Sequence, residues 1–501
     1  MRRLIALLLL TVSAAYADPL VSWQRRLNLT LLEFETGAGE LEILNPSTFR
    51  FVRCRTKPCA GRTAAPDPVP FRTVETNLAF EFRTSYLEIK VRKNDGGLMV
   101  KSRHGVEMLD EIVKPGPAPA GLHFERRAPE GERLYGLGPR TDAELDLRGR
   151  LIATNRPLLI STLGYGLWFT AFTNYQFDLA NTSRDRVSIH APFPGRLEFF
   201  FHYGPTPKEI LEENFGVAGW TFGPTQADAA VLNGEGAVPR FATKTPALPW
   251  AELLRWMAHA SMSGILVPAV EQVTVTSQAV APLLPMLYGG ESTPRERAAL
   301  GPYLHTYLTE AKDRGFPLFR PMAMQYPKDS TAAARLDQFM LGDEILAAAG
   351  PDVYLPMGIW TDLRTGVTYP GKQVIAVAPG AGAPVFAKNG TILPLLQPGG
   401  AIELHYFPRL GAEFFITEPG HTQPSQVHAG PADGVLRLEI ESRVDRRYEW
   451  VVHHVSAASA IEPASIKSQY DPARRLLRIP VETKAMADSI VNLTLEAPLE
   501  P

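Results

Sequence analysis

Through the first 220 residues the apolar positions recur at every second place. Leu78, Phe80 and Phe82 alternate with polar neighbours, Leu87, Ile89 and Val91 repeat the pattern, and Leu197 to Tyr203 is an aromatic, β-prone run. A period of two puts one face of a segment in a core and the other outside it, so these segments are expected to be strands. Loops rich in Pro and Gly, notably Gly61 to Pro70 and Pro115 to Gly121, separate them. Many short strands with turn signals between them predict a β-sandwich. The period becomes helical at Thr206-Pro207-Lys208-Glu209, where a cap, a first-turn proline and a capping-box Glu start a helix that Gly216 should stop. The paired Glu212 and Glu213 on that helix read as a solvated face.

Between Thr221 and Trp250 the pattern dissolves into prolines and glycines, Gly223, Pro224, Gly234, Gly236, Pro239, Pro246 and Pro249, which read as linker or irregular crossover. A second capping box, Thr293-Pro294-Arg295-Glu296, opens a helix that runs to Gly315. Its stripe of Leu300, Tyr303, Leu304, Tyr307, Leu308 and Ala311 is expected to be core, and Pro302 to kink it. Short strands then return, including Val353 to Leu355, Leu436-Leu438-Ile440, Tyr448 to Val452 and Leu476 to Val481, and predict one further sandwich or two. No internal repeat is visible.

Composition narrows the chemistry. Arg2 and Arg3 precede an apolar run, Leu4 to Val12, and the small-residue site Ala15-Tyr16-Ala17. Residues 1–17 therefore have the form of a secretory signal peptide, with a retained anchor as the alternative, and the expected location is secreted or periplasmic. No later segment approaches the roughly 18 uninterrupted apolar residues of a membrane span. Cys54 and Cys59 suit an oxidising compartment and are expected to form a local disulfide; they are too few for a zinc site. A formal charge of −2 and a pI near 6.6 argue against nucleic-acid or anionic-membrane partners and are compatible with a small neutral substrate such as a sugar. No cofactor or metal is called for. At 501 residues, 45% of them hydrophobic, the chain can bury more than one core.

Several segments carry a resemblance. They are RLYGLG at 133–138, PLLISTLGYGLW at 157–168 and FHYGPTPKEIL at 201–211, then the pair Arg255-Trp256, PYLHTYLTEAKDRGFPLFRP at 302–321 and DQFMLGDEIL at 337–346, and finally VYLPMGIWTDLRTG at 353–366 and PVFAKNGTILP at 384–394. In this order they resemble family-31 glycoside hydrolases, the α-glucosidase and α-xylosidase family. The resemblance implies a mostly β chain. Its expected parts are an N-terminal galactose-mutarotase-like β-sandwich at 18–222, a linker and truncated TIM-barrel remnant at 223–315, a proximal C-terminal β-sandwich at 316–400 and a distal β-domain at 401–501. A (β/α)8 barrel takes about 250 residues. Here Gly219 to Glu252 leaves room for little more than one βα unit.

The missing segment is where the family's chemistry lies. Retaining glycosidases need two carboxyl groups about 5–5.5 Å apart, and the resemblance places both on absent strands, the nucleophile in a W-x-D-M-N-E motif. Trp360-Thr361-Asp362-Leu363 is similar to the start of that motif, but its flanks put it in the C-terminal sandwich as a structural turn. Downstream of Arg255-Trp256 the family has an F-x-P stretch, then an Arg and a His facing the sugar. The matching positions here are Met262 and Gly264, then Val267 and Ala269, so both polar groups are lost. The N-terminal loop that reaches the family's active site is also short, since Gly149 to Asn155 leads almost directly to Pro157. No catalytic residue is assigned. Trp168 and Trp256 are the candidates to stack on a pyranose, with packing at a domain seam as the alternative. Gly366 to Lys372 has phosphate-loop spacing, but Gln373 replaces the needed Ser/Thr and no helix follows, so it reads as a turn. His453-His454 reads as a strand pair, not a metal site.

Three readings follow. The first is a catalytically degenerate relative that binds carbohydrate, or a partner protein at the former barrel seam. The second is an active retaining α-glycosidase whose carboxyl pair comes from Glu252, Glu271 and Glu291 or from a partner chain. The third is a deletion or misread gene, marked by a bare apolar surface where the barrel packed. The number of parallel strands within 221–320 discriminates: eight around a pocket would support catalysis, one or two beside a helix would support its loss.

Overall fold

Alternation of apolar and polar residues builds the N-terminal part as antiparallel sheets. The computed structural model describes residues 17–54, 57, 59, 68–114, 122–170, 174–191, 196–218, 242–271, 283, 286–288, 295–378, 383–497 and 499. The signal-like segment up to residue 16, most of the loop from Gly61, the loop from Pro115 to Gly121, the linker over 219–241, Glu291 and the second capping box at Thr293-Pro294 lie outside them. The chain divides into two compact units, Met1–Gly138 with Asp146–Val217, and Pro139–Leu145 with Ala218–Pro501.

In the first unit an eight-stranded sheet runs in the order Leu20–Arg26, Leu29–Phe34, Ala38–Asn45, Thr48–Cys54, Arg196–Tyr203, Tyr165–Phe169, Leu158–Ser161 and Leu134–Gly136. One face, with Leu41, Phe49, Phe199 and Leu167, shares a single core with Phe80, Phe82, Ile89 and Val91 of a five-stranded sheet and Phe124, Phe177 and Ile189 of a four-stranded one. That arrangement is the expected sandwich. Leu78, read as a strand position, is 81% exposed just ahead of Ala79–Arg83. Helix α1, Pro207–Ala218, starts as its capping box predicts, with the Glu209 carboxylate accepting from the Thr206 amide at 2.8 Å. It passes through Gly216 by two residues instead of ending there, a difference of the size helix ends commonly show.

The second unit contains a three-stranded parallel sheet, Ala242–Lys244, Val267–Glu271 and Met286–Tyr288, with α2, Trp250–Ser261, crossing between the first two strands. Among the described residues these three short strands are more than the one or two that marked a remnant and far from the eight that close a barrel. Two helices follow where one kinked helix was expected. Helix α3, Arg295–Ala299, ends at Leu300, and α4, Gly301–Arg314, begins with Pro302 in its first turn. A proline costs nothing there because the N–H it lacks has no intrahelical partner. Gly315 stops α4 in the left-handed conformation, φ 72°, donating to Ala311.

Beyond it, a six-stranded sheet from Phe319–Pro321 to Val385–Lys388 packs with the ladder Asp352–Leu355 and Gln373–Ala376 around Met340, Leu346, Leu355, Trp360 and Phe386. Two five-stranded sheets form the distal sandwich. Strand Thr391–Leu396 pairs with Ile402–Phe407 in one of these sheets, and Val385–Lys388 lies in the six-stranded sheet. Helix α4 docks on this distal sandwich: Tyr303 stacks on Phe414 at 5.8 Å and Thr306 accepts from the Thr417 amide at 3.0 Å. Among the described residues no helix is long and apolar enough to cross a membrane.

Candidate functional site

In parallel α/β architecture the chemistry sits where strands end and helices begin. That rim of the remnant carries Lys244 and Glu271 at the C-terminal ends of their strands, and Glu252 in the first turn of α2. Lys244 and Glu271 are exposed and Glu252 is half-buried. The topology thus gathers two of the three candidate carboxylates, Glu252 and Glu271, on one rim.

Up to Glu271 itself, the strand Val267–Glu271 is plain core. Val267 and Ala269 are 1% and 0% exposed, Met262 is fully buried, and Val270 is buried on the opposite face. Gly264 takes φ 80° in the turn between α2 and this strand. Two side chains without hydrogen-bonding groups stand where the resemblance expects a guanidinium and an imidazole. None of the exposed large hydrophobic residues among the described ones falls between 242 and 321.

Trp256 is buried in α2 beside Leu253 and Met257, whereas Trp168 in the first unit is half-buried. Trp168 lies on the face of the eight-stranded sheet turned away from the core and meets Phe200 at 5.3 Å. The same face carries a buried charge cluster that the sequence reading passed over. Arg50 donates to Glu198 at 2.6 Å and to Glu40 at 3.1 Å, with Glu42 at 3.5 Å. Burial opposes the guanidinium charge, but the Glu198 and Glu40 carboxylates outweigh it and hold its pKa above the ordinary value. The signal was present as Glu40-Leu41-Glu42 facing Arg50 across one strand pair, a same-face alternation of opposite charges.

Helix α1 seals the far end of that face. Glu213 accepts from Asn45 at 2.8 Å and from Ser47 and Thr48, both at 2.7 Å, so it is a docking group and not part of a solvated face. His202 lies beneath, 0% exposed, between Thr48 and Asn214, and burial pulls its pKa down to about 3. It is therefore a neutral structural histidine.

The remaining candidates are occupied structurally. Asp362 is 2% exposed and accepts from the Arg364 guanidinium at 2.9 and 3.1 Å and from the Arg364 amide at 2.9 Å. The stretch from Gly366 to Lys372 contains strand Thr368–Pro370 and no helix. His405 bridges Glu403 at 2.8 Å and His453 at 3.0 Å. A carboxylate does recur near the His pair, but it serves a hydrogen-bonded chain. The His405 bond first, burial against it, and then Arg478 leave Glu403 at about 2. Among the described residues no group of three or more His, Cys, Asp or Glu side chains is arranged to hold a metal ion.

Residues 315–393 match the glycosyl hydrolase family 31 C-terminal domain. Over that segment the chain is similar to family 31 of the glycoside hydrolases. The isomaltosyltransferase of Sporosarcina globispora is 36% identical over 119 residues, 21% of this chain and 11% of that protein. Neutral α-glucosidase AB of Mus musculus is 36% identical over 109 residues, 20% of this chain and 12% of that protein. The chain thus matches about a tenth of the length of these curated relatives. The cycloalternan-forming enzyme from Listeria monocytogenes, solved with a pentasaccharide substrate, superposes with a TM-score of 0.79 at 14% identity, over 96% of this chain and 77% of that one. The family-31 dextranase of Flavobacterium johnsoniae, complexed with isomaltotriose, gives 0.75 at 14% identity, over 95% of this chain and 100% of that one. At such identity the likeness concerns fold alone. The fold shared with those structures comprises N-terminal and C-terminal β-sandwiches, and between them in sequence the described residues supply three parallel strands, where a (β/α)8 barrel has eight.

Proposed function

We propose that this protein is a secreted or periplasmic family-31 relative that has lost glycosidase activity and acts as a carbohydrate-binding module. One observation carries the reading: Val267 and Ala269, at the positions matching the family's sugar-facing Arg and His, are apolar and buried in a packed strand. A site without those hydrogen-bonding groups cannot orient a sugar over a nucleophile. The disulfide between Cys54 and Cys59 supports an oxidising compartment.

Glu252 and Glu271 on one rim favour a second reading, residual α-glycosidase activity. Incubation with 4-nitrophenyl α-glucoside and α-xyloside, beside calorimetric titration with isomaltotriose, separates the two. Binding without release of nitrophenol is expected. Turnover lost in both Glu252→Gln and Glu271→Gln would establish the second reading instead.

A further inference from the structure

Three neighbouring strands of the first unit, with Lys57 and Cys59, line a half-open cavity of about 370 Å3 on the same outer face of the eight-stranded sheet as Trp168, nearer its Leu20–Arg26 edge. The register explains its walls. Ser22, Glu33 and Ala38 form one cross-strand row, and Gln24, Leu31 and Glu40 form another on the same face two residues on. The row between them belongs to the other face, where Trp23 stacks on Phe80 at 4.1 Å and Leu32 joins the core. Lys57 and Cys59 close the cavity from above.

Its polar groups are held in place before any ligand arrives. Glu33 accepts from Ser22 at 2.7 Å and from Lys57 at 2.9 Å. Glu40, 1% exposed, is fixed from behind by Arg50 at 3.1 Å. Lys57 lies in sequence between Cys54, the last residue of its strand, and Cys59, which are bonded to each other. A disulfide spanning so few residues adds little to global stability but sharply limits where Lys57 can go.

The chemistry of this lining selects a class of ligand. An anion would face two carboxylates. A cation would have to compete with Lys57 and Arg50, which already neutralise them. An apolar molecule would strip water from Glu33, Gln24 and Lys57 without replacing its hydrogen bonds. A neutral polyol meets every group: its hydroxyls donate to Glu33 and accept from Lys57, Gln24 does both, and its C–H surface lies on Leu31 and Ala38. The volume is at the low end of the roughly 300–1,000 Å3 typical of small-molecule sites. We propose that this cavity binds the terminal sugar unit of a neutral glycan, at a place independent of the barrel. The assignment rests on the carbohydrate-binding reading and locates it.

Titration calorimetry of the full chain with glucose and isomaltotriose tests it. Leu31→Trp fills the cavity and Lys57→Met removes a donor at its mouth; each is expected to weaken binding about ten-fold or more, with the unfolding temperature retained. Reduction of the disulfide is expected to act in the same direction by releasing Lys57. Affinity unchanged in both variants would place the glycan elsewhere and overturn this site while leaving carbohydrate binding intact. No binding by the unaltered protein would overturn both.

Discussion

Tyr307 donates its hydroxyl hydrogen to the Glu344 carboxylate at 2.6 Å. Tyr303, one helical turn earlier on α4, reaches the same carboxylate at 2.8 Å, so a single side chain of the proximal sandwich ties down the last helix of the barrel remnant. Burial first, and the neighbouring Asp343 second, push Glu344 up to about 7. The folded state therefore prefers the protonated acid. Its contribution to stability is full below the ordinary value of 4.5 and is lost as pH rises through about 7. The unfolding temperature should fall across that window, and Glu344→Gln, which keeps an acceptor for both tyrosines but cannot ionise, should flatten the profile. Parallel profiles for the two proteins would show that Glu344 is not the titrating group.

Gly342 is packed against the same two rings. It takes φ 65°, and a Cβ there would run into the Tyr303 hydroxyl and the Tyr307 ring. Gly342→Ala combines overpacking with a strained backbone and is expected to destabilise by about 3 kcal/mol. Urea unfolding followed by tryptophan fluorescence checks it, and a loss under about 1 kcal/mol would mean that the rings yield.

The docking of α1 through Glu213 makes a separate prediction. Glu213→Ala strands the donors of Asn45, Ser47 and Thr48 and should cost about 2–4 kcal/mol. Glu213→Gln, which keeps an acceptor for part of this network, serves as the comparison and should cost less than half as much. Equal effects would reduce the three hydrogen bonds to surface contacts.

Asp362 is expected to behave as a stabilising residue of the sandwich. Asp362→Asn breaks the two-pronged contact with Arg364 and should lower stability by about 2 kcal/mol. Glycan affinity should not change. A selective loss of binding with stability intact would return Asp362 to the list of functional residues.

How much of this was legible beforehand depends on the distance over which a residue finds its partner. The strands around Phe80, Ile89 and Phe201, the capping box at Thr206 and the stop at Gly315 are written in local spacing, and all three kinds of signal appear in the fold. Glu213 looked solvated because its partners are 165 to 168 positions away, and nothing near it in sequence marks them. Pro302 looked like a kink because a helical stripe shows no gap at Leu300. The switch of Thr391–Leu396 into the distal sheet depends on pairing with Ile402–Phe407, which alternation alone does not choose between sheets. At the candidate site the resemblance named positions, whereas burial of Val267 and Ala269 is a property of tertiary packing.

That packing also sets a direction in time. An arginine or histidine restored at Val267 or Ala269 would enter a closed interior with its polar atoms dry and unpaired, at a penalty of several kcal/mol before any sugar is bound. Each such substitution would first have to survive as a destabilised protein. The filled strand thus acts as a ratchet against polar side chains at these two positions.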